Sequence, residues 1–265
     1  MIVNVDYHVT EVCHLNCAHC SHFCPLVPKD TKPKSIEQIT ADFALLSKFK
    51  EHLETLGLMG GEPFLHPQFS KVLRIARRFF PNNNITVTTN GTLANKILQW
   101  KDAIEENNII IYVTIYPYKD NPWENYEKIK EVIPSTQYWD YPTTHGMTYH
   151  ELSHRDDVAT DEEILGCYKR WRCNQLRDGK LWICHYAAYL DFLKNAFPGK
   201  IDIEEDDYRY LDLNNDNLTI DDIYYFQKFA FPNICRHCED VHYGAYSGPT
   251  EPWRKSRKEI SEWII

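Results

Sequence analysis

Three cysteines near the start of the chain have the spacing of a metal site. Cys13, Cys17 and Cys20 are separated by three and then two residues. Three thiolates cannot complete a tetrahedral zinc site alone, but they can hold a four-iron cluster and leave one iron open. An open iron can bind the amine and carboxylate of a methionine-type ligand, and an electron delivered there can cleave the sulfonium of that ligand. A fourth protein ligand would make a zinc knuckle instead, and the candidates for it are Cys24, His14, His19 and His22.

A second set of unusual residues follows the next three predicted strands. Ligands of parallel α/β sheets bind at the carboxyl ends of the strands, so these residues and the cysteines are expected on one rim. Paired glycines let a backbone approach a ligand, and a glutamate offers an acceptor for an ammonium group. The residues are Gly60, Gly61, Glu62, Pro63, Thr89, Asn90, Gly91, Thr114 and Tyr116, with Tyr118 and His145 as further candidates for lining the cavity.

The remaining cysteines form a second group in the other half of the chain. They are Cys167, Cys173, Cys184, Cys235 and Cys238. Gly179 precedes Cys184 by five residues, which suits a tight turn that presents a thiol at a strand end. Five thiols are enough for one four-iron cluster with one to spare, and a zinc site with the same ligands is the alternative.

Composition indicates a globular protein of a reducing compartment. The chain has 265 residues, of which 43% are hydrophobic, and it lacks an apolar run long enough to span a membrane. Nine cysteines, an odd number, with no secretory signal argue against a disulfide scaffold. The net charge of −9 disfavours a duplex nucleic acid as a partner. The cytoplasm is the expected location.

Alternating strands and helices in the first half predict a parallel sheet with right-handed crossovers. Ser35 and Gln38 predict a capping box at the first helix. The chain is too short for a full eight-unit barrel plus the cysteine-rich part, so the fold class is α/β, with a partial, open (β/α)6-type TIM barrel. The predicted strands cover residues 4–9, 53–59, 85–89, 109–116 and about 138–139, and the predicted helices cover 36–46, 69–80, 93–104 and 126–133.

The second half is predicted to be loop-rich. We expect a hairpin at Asp178 and Gly179, a helix over residues 189–196, and a basic surface helix over residues 253–263. Two domains follow from this change of pattern. Residues 1–150 form the barrel, and residues 151–265 form a small cysteine-rich domain.

These motifs resemble a known family. The three-cysteine motif after the first strand, followed by Gly60-Gly61-Glu62-Pro63, resembles the signature of the radical S-adenosylmethionine (SAM) superfamily. His19 stands where that family usually has an aromatic residue, and an imidazole can pack over the cluster in the same way. The later cysteines resemble the auxiliary-cluster domains called SPASM or, when truncated, Twitch. The truncated type would use Cys167, Cys184, Cys235 and Cys238, whereas the full type would use Cys173 in place of one of the last pair.

The resemblance implies cofactors, partners and a reaction. Cys13, Cys17 and Cys20 would hold a SAM-binding [4Fe–4S] cluster, and Glu62 would accept from the SAM ammonium. The rim segments after the third and fourth strands would contact the ribose and the carboxylate of SAM. A flavodoxin or ferredoxin would deliver one electron, and the resulting 5′-deoxyadenosyl radical would abstract hydrogen from a substrate. A second [4Fe–4S] cluster in the later domain and anaerobic assembly are also implied.

The motifs are compatible with two classes of substrate. Relatives with auxiliary clusters modify ribosomally made peptides or oxidise and rearrange small metabolites. The chain begins at its first predicted strand, which leans towards a small substrate or one delivered by a separate recognition protein. A non-catalytic electron carrier or structural zinc protein is the alternative of another class, but electron carriage does not require an ammonium acceptor such as Glu62.

Overall fold

The structure is a computed structural model that describes residues 2–118, 121, 123–139, 147–148, 151–206, 209–242 and 250–265. The strands are β1 (Ile2–Thr10), β2 (Leu53–Gly60), β3 (Asn84–Thr89), β4 (Ile109–Thr114), β5 (Gln137–Trp139), β6 (Met147–Thr148), β7 (Asn174–Arg177), β8 (Lys180–Trp182), β9 (Tyr210–Asp212) and β10 (Thr250–Glu251). The helices are α1 (Ile36–Leu46), α2 (Phe69–Phe79), α3 (Ala94–Leu98), α4 (Lys101–Glu106), α5 (Glu124–Val132), α6 (Asp161–Gly166), α7 (Lys169–Arg172), α8 (His185–Ala196) and α9 (Ile220–Phe229).

One sheet of eight strands organises the fold, in the order β5-β4-β3-β2-β1-β7-β8-β9. The strands from β5 to β7 in this order are parallel. The last two pairs are antiparallel, and β7 and β8 form the predicted hairpin. Six parallel strands with helical crossovers confirm the predicted partial barrel. Strand β7 comes from the second half of the chain, so the sheet continues across the proposed division at residue 150.

Local sequence explains most of these elements. In β1, buried Val5, Tyr7 and Val9 alternate with inward-facing polar residues, as a strand with an apolar outer face requires. The capping box of α1 is present as predicted, because Ser35 and Gln38 satisfy each other's backbone amides. The single helix predicted over residues 93–104 is instead two short helices, α3 and α4.

The predicted basic helix over residues 253–263 is wrong. Among residues 250–265, which are all described, the helical turns are confined to a 3-10 turn at Ile260–Glu262. This segment lacks an apolar stripe at helical spacing, and Lys258 has a φ of 61°, which interrupts a right-handed helix. Its backbone pairs with the cysteine loop instead.

Two apolar cores hold the elements together. The larger lies between the sheet and helices α1 to α5, and the smaller surrounds α8 and receives Phe23, Leu152 and Trp263. Buried Asp42 joins the halves of the chain, because it accepts hydrogen bonds from the Tyr7 hydroxyl (2.8 Å) and from the backbone amide at the β7–β8 turn (2.7 Å). The longest helix of the described residues has 12 residues, and none combines the length and apolar character needed to cross a bilayer.

Candidate functional site

The carboxyl ends of β1 to β4 surround one cavity of about 290 Å³. Because these strands are parallel, the segments that follow them meet at the same rim. The cavity is therefore at the place that the sequence predicts. Its lining includes the predicted residues Cys13, Cys17, His19, Cys20, Gly60, Gly61, Thr89, Asn90, Thr114 and Tyr116, together with Leu15, Asn16, Ser21, His22, Cys24, Met59 and Thr88. Glu62 and Pro63 are outside this lining. Tyr118 packs edge-on against Trp253, and His145 lies outside the described residues.

The turn after β2 packs directly against the cysteine loop. The backbone amides of Gly61 and Glu62 donate to the carbonyls of Thr10 (2.8 Å) and Val12 (2.9 Å). A Cβ atom on Gly60 would lie 2.0 Å from the Thr10 carbonyl oxygen, and one on Gly61 would lie 2.2 Å from that of Val12. Gly60 also has a φ of 144°, which favours glycine. The glycines are therefore needed for this backbone contact, in addition to the approach to a ligand that the sequence suggested.

Glu62 is fully buried, and its carboxylate is engaged by the neighbouring strand end. It accepts hydrogen bonds from the Thr89 hydroxyl (2.7 Å), the Asn90 amide (3.0 Å) and the Phe64 amide (3.2 Å). A carboxylate has about four acceptor positions, so one is left for a further donor such as an ammonium. Burial raises the pKa of Glu62 to about 7, against the opposing effect of these donors and of Lys96. A cation beside the carboxylate would favour its ionised form.

Of the first three cysteines, Cys17 is buried and Cys13 and Cys20 are half-buried. Asn90 directs its side-chain amide at the Cys13 sulfur (3.8 Å), and the Trp253 indole N–H donates to the Cys17 sulfur (3.2 Å). Burial raises the pKa of Cys13 to about 11 and that of Cys17 to about 12. A metal reverses this preference because the thiolate is its ligand. Cys24 is buried next to Cys20, and the hydrogen bond between their thiols lowers the pKa of Cys20 to about 7.

Cys13, Cys17 and Cys20 are arranged around the cavity and do not converge on one point. Zinc needs its ligands converging at about 2.3 Å from one point. Among the described residues, which include every cysteine, no three His, Cys, Asp or Glu side chains converge in that way. Each candidate histidine has one ring nitrogen in polar contact with another residue. His14 contacts Thr92 (2.5 Å), His19 contacts Glu251 (2.8 Å) and His22 contacts His8 (2.9 Å). The three cysteines surround a space, as a larger cluster requires.

Four of the five later cysteines line a second cavity. They are Cys167, Cys184, Cys235 and Cys238. Cys173 is not part of this lining and lies close to Asp6, and burial, reinforced by that carboxylate, raises its pKa to about 12. The structure therefore brings together the four cysteines of the truncated type and separates Cys173 from them.

Two buried cations face the second cavity. Lys169 and Arg170 are 4% and 2% exposed and belong to its lining. The Arg170 Nε donates to the Gln227 carbonyl (2.9 Å), but within the described part of the chain its Nη1 and Nη2 have no hydrogen-bond partner. A buried guanidinium is costly unless it is paired. Four thiolates on a metal carry the negative charge that would pair it, so the donor set fits an anionic metal–thiolate group.

A row of buried rings joins the two cavities, and the sequence reasoning did not identify it. The His8 imidazole is bonded to Glu11 (2.5 Å) and to His22 (2.9 Å), which lines the first cavity. The His22 ring stacks on His185 with centroids 4.7 Å apart, and His185 lies 3.5 Å from the Lys169 ammonium at the second cavity. The alternation of β1 places His8 on the inward face, which is the signal that could have indicated it.

The family model of the radical SAM superfamily matches residues 7–139, from within β1 to the end of β5. The chain belongs to the radical SAM superfamily. This membership implies a SAM-binding [4Fe–4S] cluster and SAM as cofactors, and it supports an enzyme.

Individual relatives match only parts of the chain or only its fold. GTP 3′,8-cyclase of Chlorobaculum tepidum is 33% identical over 110 residues, which are 38% of this chain and 30% of the cyclase. The antilisterial bacteriocin subtilosin biosynthesis protein AlbA of Bacillus subtilis is 32% identical over 96 residues, 36% of this chain and 20% of AlbA. The crystal structure of BtrN in complex with AdoMet and 2-DOIA covers 91% of this chain and 94% of its own, with a TM-score of 0.58 and 16% identity. The BtrN likeness extends the shared fold to both halves of the chain.

The buried carboxyl of Glu62 predicts a pH dependence for SAM binding. Because its pKa is about 7, Glu62 is mostly protonated at pH 6 and ionised at pH 8. The SAM ammonium favours the ionised form, so the affinity for SAM should fall as the pH decreases through 7, by up to roughly tenfold per pH unit. Equilibrium dialysis of the iron-loaded protein measures this. Glu62→Gln should retain its iron, bind SAM roughly ten to a hundred times more weakly at pH 8, and lose the part of the pH dependence that comes from Glu62. An unchanged affinity and pH curve in this variant would contradict the role of Glu62.

Proposed function

We propose that this chain is a radical SAM enzyme that cleaves SAM reductively and abstracts hydrogen from a substrate held in the barrel. The observation that carries the proposal is the common cavity of Cys13, Cys17 and Cys20 with the ends of β2, β3 and β4. When bound at these cysteines, the cluster supplies the electron that cleaves SAM to methionine and a 5′-deoxyadenosyl radical. A flavodoxin- or ferredoxin-type protein is the proposed source of that electron.

The residues of the chain orient SAM and exclude water. In this proposal Glu62 accepts from an N–H of the SAM amino group through its remaining acceptor position, while Thr89 and Asn90 are fixed by the same carboxylate. Thr114 at the end of β4, and Tyr116 just after it, also line the cavity. An electron carrier would not need this space beside its cysteines, so the cavity favours an enzyme over the non-catalytic alternative.

The first candidate is a small substrate that enters the cavity beside SAM. The described lining of the cavity contains hydroxyl, amide, imidazole and thiol groups but no Lys, Arg, Asp or Glu side chain. A triphosphate such as the substrate that names GTP 3′,8-cyclase would find no cation in this lining, and triphosphates are usually held by cations. AlbA is named for bacteriocin biosynthesis, and a peptide presented by a separate recognition protein is the second candidate. Dehydrogenation, epimerisation, rearrangement and cross-linking are the reactions that these substrates allow.

We further propose that the second cavity holds an auxiliary [4Fe–4S] cluster of the Twitch type. The support is the gathering of Cys167, Cys184, Cys235 and Cys238 around one space that two buried cations face. In functional terms, residues 1–150 then carry the SAM site and residues 151–265 the auxiliary site. A reducing compartment such as the cytoplasm suits nine thiols. The auxiliary cluster would accept the substrate electron, ligate the substrate or stabilise the fold.

The reaction is tested by the formation of 5′-deoxyadenosine. Anaerobically reconstituted protein, given dithionite and SAM, should release 5′-deoxyadenosine and methionine. Replacing Cys13, Cys17 and Cys20 by Ala should abolish this release because the cluster loses its ligands. Cys24→Ala is the matched control, and it should retain both iron and cleavage because Cys24 is not assigned as a ligand. Cleavage at the normal rate by the triple variant would show that the assignment is wrong.

The auxiliary cluster is tested by metal analysis. The reconstituted wild-type protein should carry about eight irons per chain if both sites are of the four-iron type, and the variant without Cys13, Cys17 and Cys20 should keep about half. Cys235→Ala should lose the auxiliary iron, whereas Cys173→Ala should keep it because Cys173 lies outside the cavity. One zinc and about four irons in the wild type would refute the second cluster.

A further inference from the structure

The C-terminal segment of residues 250–265, here called the C-terminal strap, lies along the loop that carries the first three cysteines. The backbone amide of Ala18 donates to the carbonyl of Arg254 (3.0 Å), and that of Ser256 donates to the carbonyl of Asn16 (2.9 Å). These two bonds flank an antiparallel bridge at Cys17. The strap therefore fixes the backbone on both sides of the middle cysteine.

Charged side chains fix the shape of the strap and join it to the cysteine loop. The Glu262 side chain is 1% exposed and pairs with the Arg254 guanidinium. It also accepts from the Ser256 hydroxyl (2.5 Å) and the Arg257 amide (3.0 Å). At the other end of the strap, Glu251 pairs with His19 of the cysteine loop (2.8 Å). The contacts of Glu262 with three other strap residues fix the path of the chain between Arg254 and Glu262.

Two tryptophans of the strap reach the cysteine loop, but their indole N–H groups have different acceptors. Trp263 donates to the backbone carbonyl of Cys20 (3.0 Å), an ordinary structural contact. Trp253 donates to the sulfur of Cys17 (3.2 Å). Packing alone would use only the ring of Trp253. Its N–H, however, donates to the Cys17 sulfur, which we propose as a ligand of the cluster.

An N–H group that donates to a cluster sulfur changes the redox properties of the cluster. Reduction adds one negative charge to the cluster and its thiolates. The positive end of an N–H dipole at the sulfur therefore stabilises the reduced state more than the oxidised one. Hydrogen bonds to sulfur and exclusion of solvent are among the determinants of the reduction potential of iron–sulfur clusters. The strap supplies both at Cys17.

We propose that Trp253 is a positioning residue that tunes the catalytic cluster: held by the C-terminal strap, its indole N–H donates to the Cys17 thiolate and raises the reduction potential of the cluster. The inference rests on the proposed function, because it requires iron at the three cysteines. The electron comes from the same donor that the proposed function names, and no further oxidant or reductant is involved.

The test is the midpoint potential of the first cluster in Trp253→Phe, which keeps an aromatic ring and removes the N–H. EPR-monitored redox titration of the full-length, reconstituted protein measures it, and the variant without Cys13, Cys17 and Cys20 supplies the spectrum of the auxiliary site for subtraction. The potential should become more negative in Trp253→Phe at unchanged iron content. Trp139→Phe, at the far edge of the sheet on β5, is the matched control and should keep the wild-type potential.

A wild-type potential in Trp253→Phe with its iron retained would overturn the proposal and leave the proposed function intact. If Trp253→Phe loses iron, the same titration of a protein with benzothienylalanine at position 253 tests the proposal. This residue keeps the shape of the indole and lacks the N–H. A wild-type potential in that protein would equally overturn the proposal. Absence of iron at the three cysteines of the wild type would instead overturn the proposed function, and this inference with it.

Discussion

The architecture of the site depends on one contact between two backbones. The turn after β2 lies against the loop after β1 so closely that Gly60 and Gly61 leave no room for a Cβ atom. This contact fixes where the cysteine loop begins relative to the ends of β2 and β3. Glu62, the next residue, then extends the same arrangement to β3 by binding Thr89 and Asn90. The cavity is a consequence of this chain of contacts.

The cysteine loop is held from its other side by the C-terminal strap. A segment from the far end of the chain pairs with the loop at Cys17, and the Trp263 indole donates to the Cys20 carbonyl. The loop is therefore fixed between the barrel and the strap, which restricts both solvent and the positions of the thiols. Preorganised ligands lower the cost of binding a metal, because less conformational freedom is lost.

The two cysteine sites are neighbours connected by packed side chains. The row from Glu11 through His8, His22 and His185 ends at Lys169, which faces the second cavity. Each of these contacts is buried or partly buried. Solvent and salt therefore screen the electrostatic interaction between the two sites only weakly. At the second site, the described residues offer no hydrogen-bond partner to two guanidinium nitrogens of Arg170, so an anionic occupant would be stabilised there.

Sequence reasoning predicted the fold and the rim of the site because both depend on local patterns. The alternation of apolar residues and the capping box at Ser35 determine β1 and α1, and parallel strands then bring their carboxyl ends together without further information. Local sequence patterns do not predict long-range contacts. Residues 253–263 are predicted as a basic surface helix, and only the folded chain places Trp253 beside Cys17.

Side-chain directions were equally inaccessible to the sequence. The residue pattern identifies Glu62 as an acceptor, but not that three protein donors already occupy it. Five later cysteines likewise suggest a site with one thiol to spare. Only the folded chain places Cys173, at the end of α7 and near Asp6, outside the cavity that the other four line.

The central claim is that Cys13, Cys17 and Cys20 leave one iron of their cluster open to SAM. The most direct measurement is the EPR spectrum of the dithionite-reduced, reconstituted protein with and without SAM. The account predicts that SAM changes the signal that is lost in the variant without the three cysteines, because SAM becomes a ligand of that cluster, and that it leaves the auxiliary signal unchanged. A first-cluster spectrum that is identical with and without SAM would contradict the account.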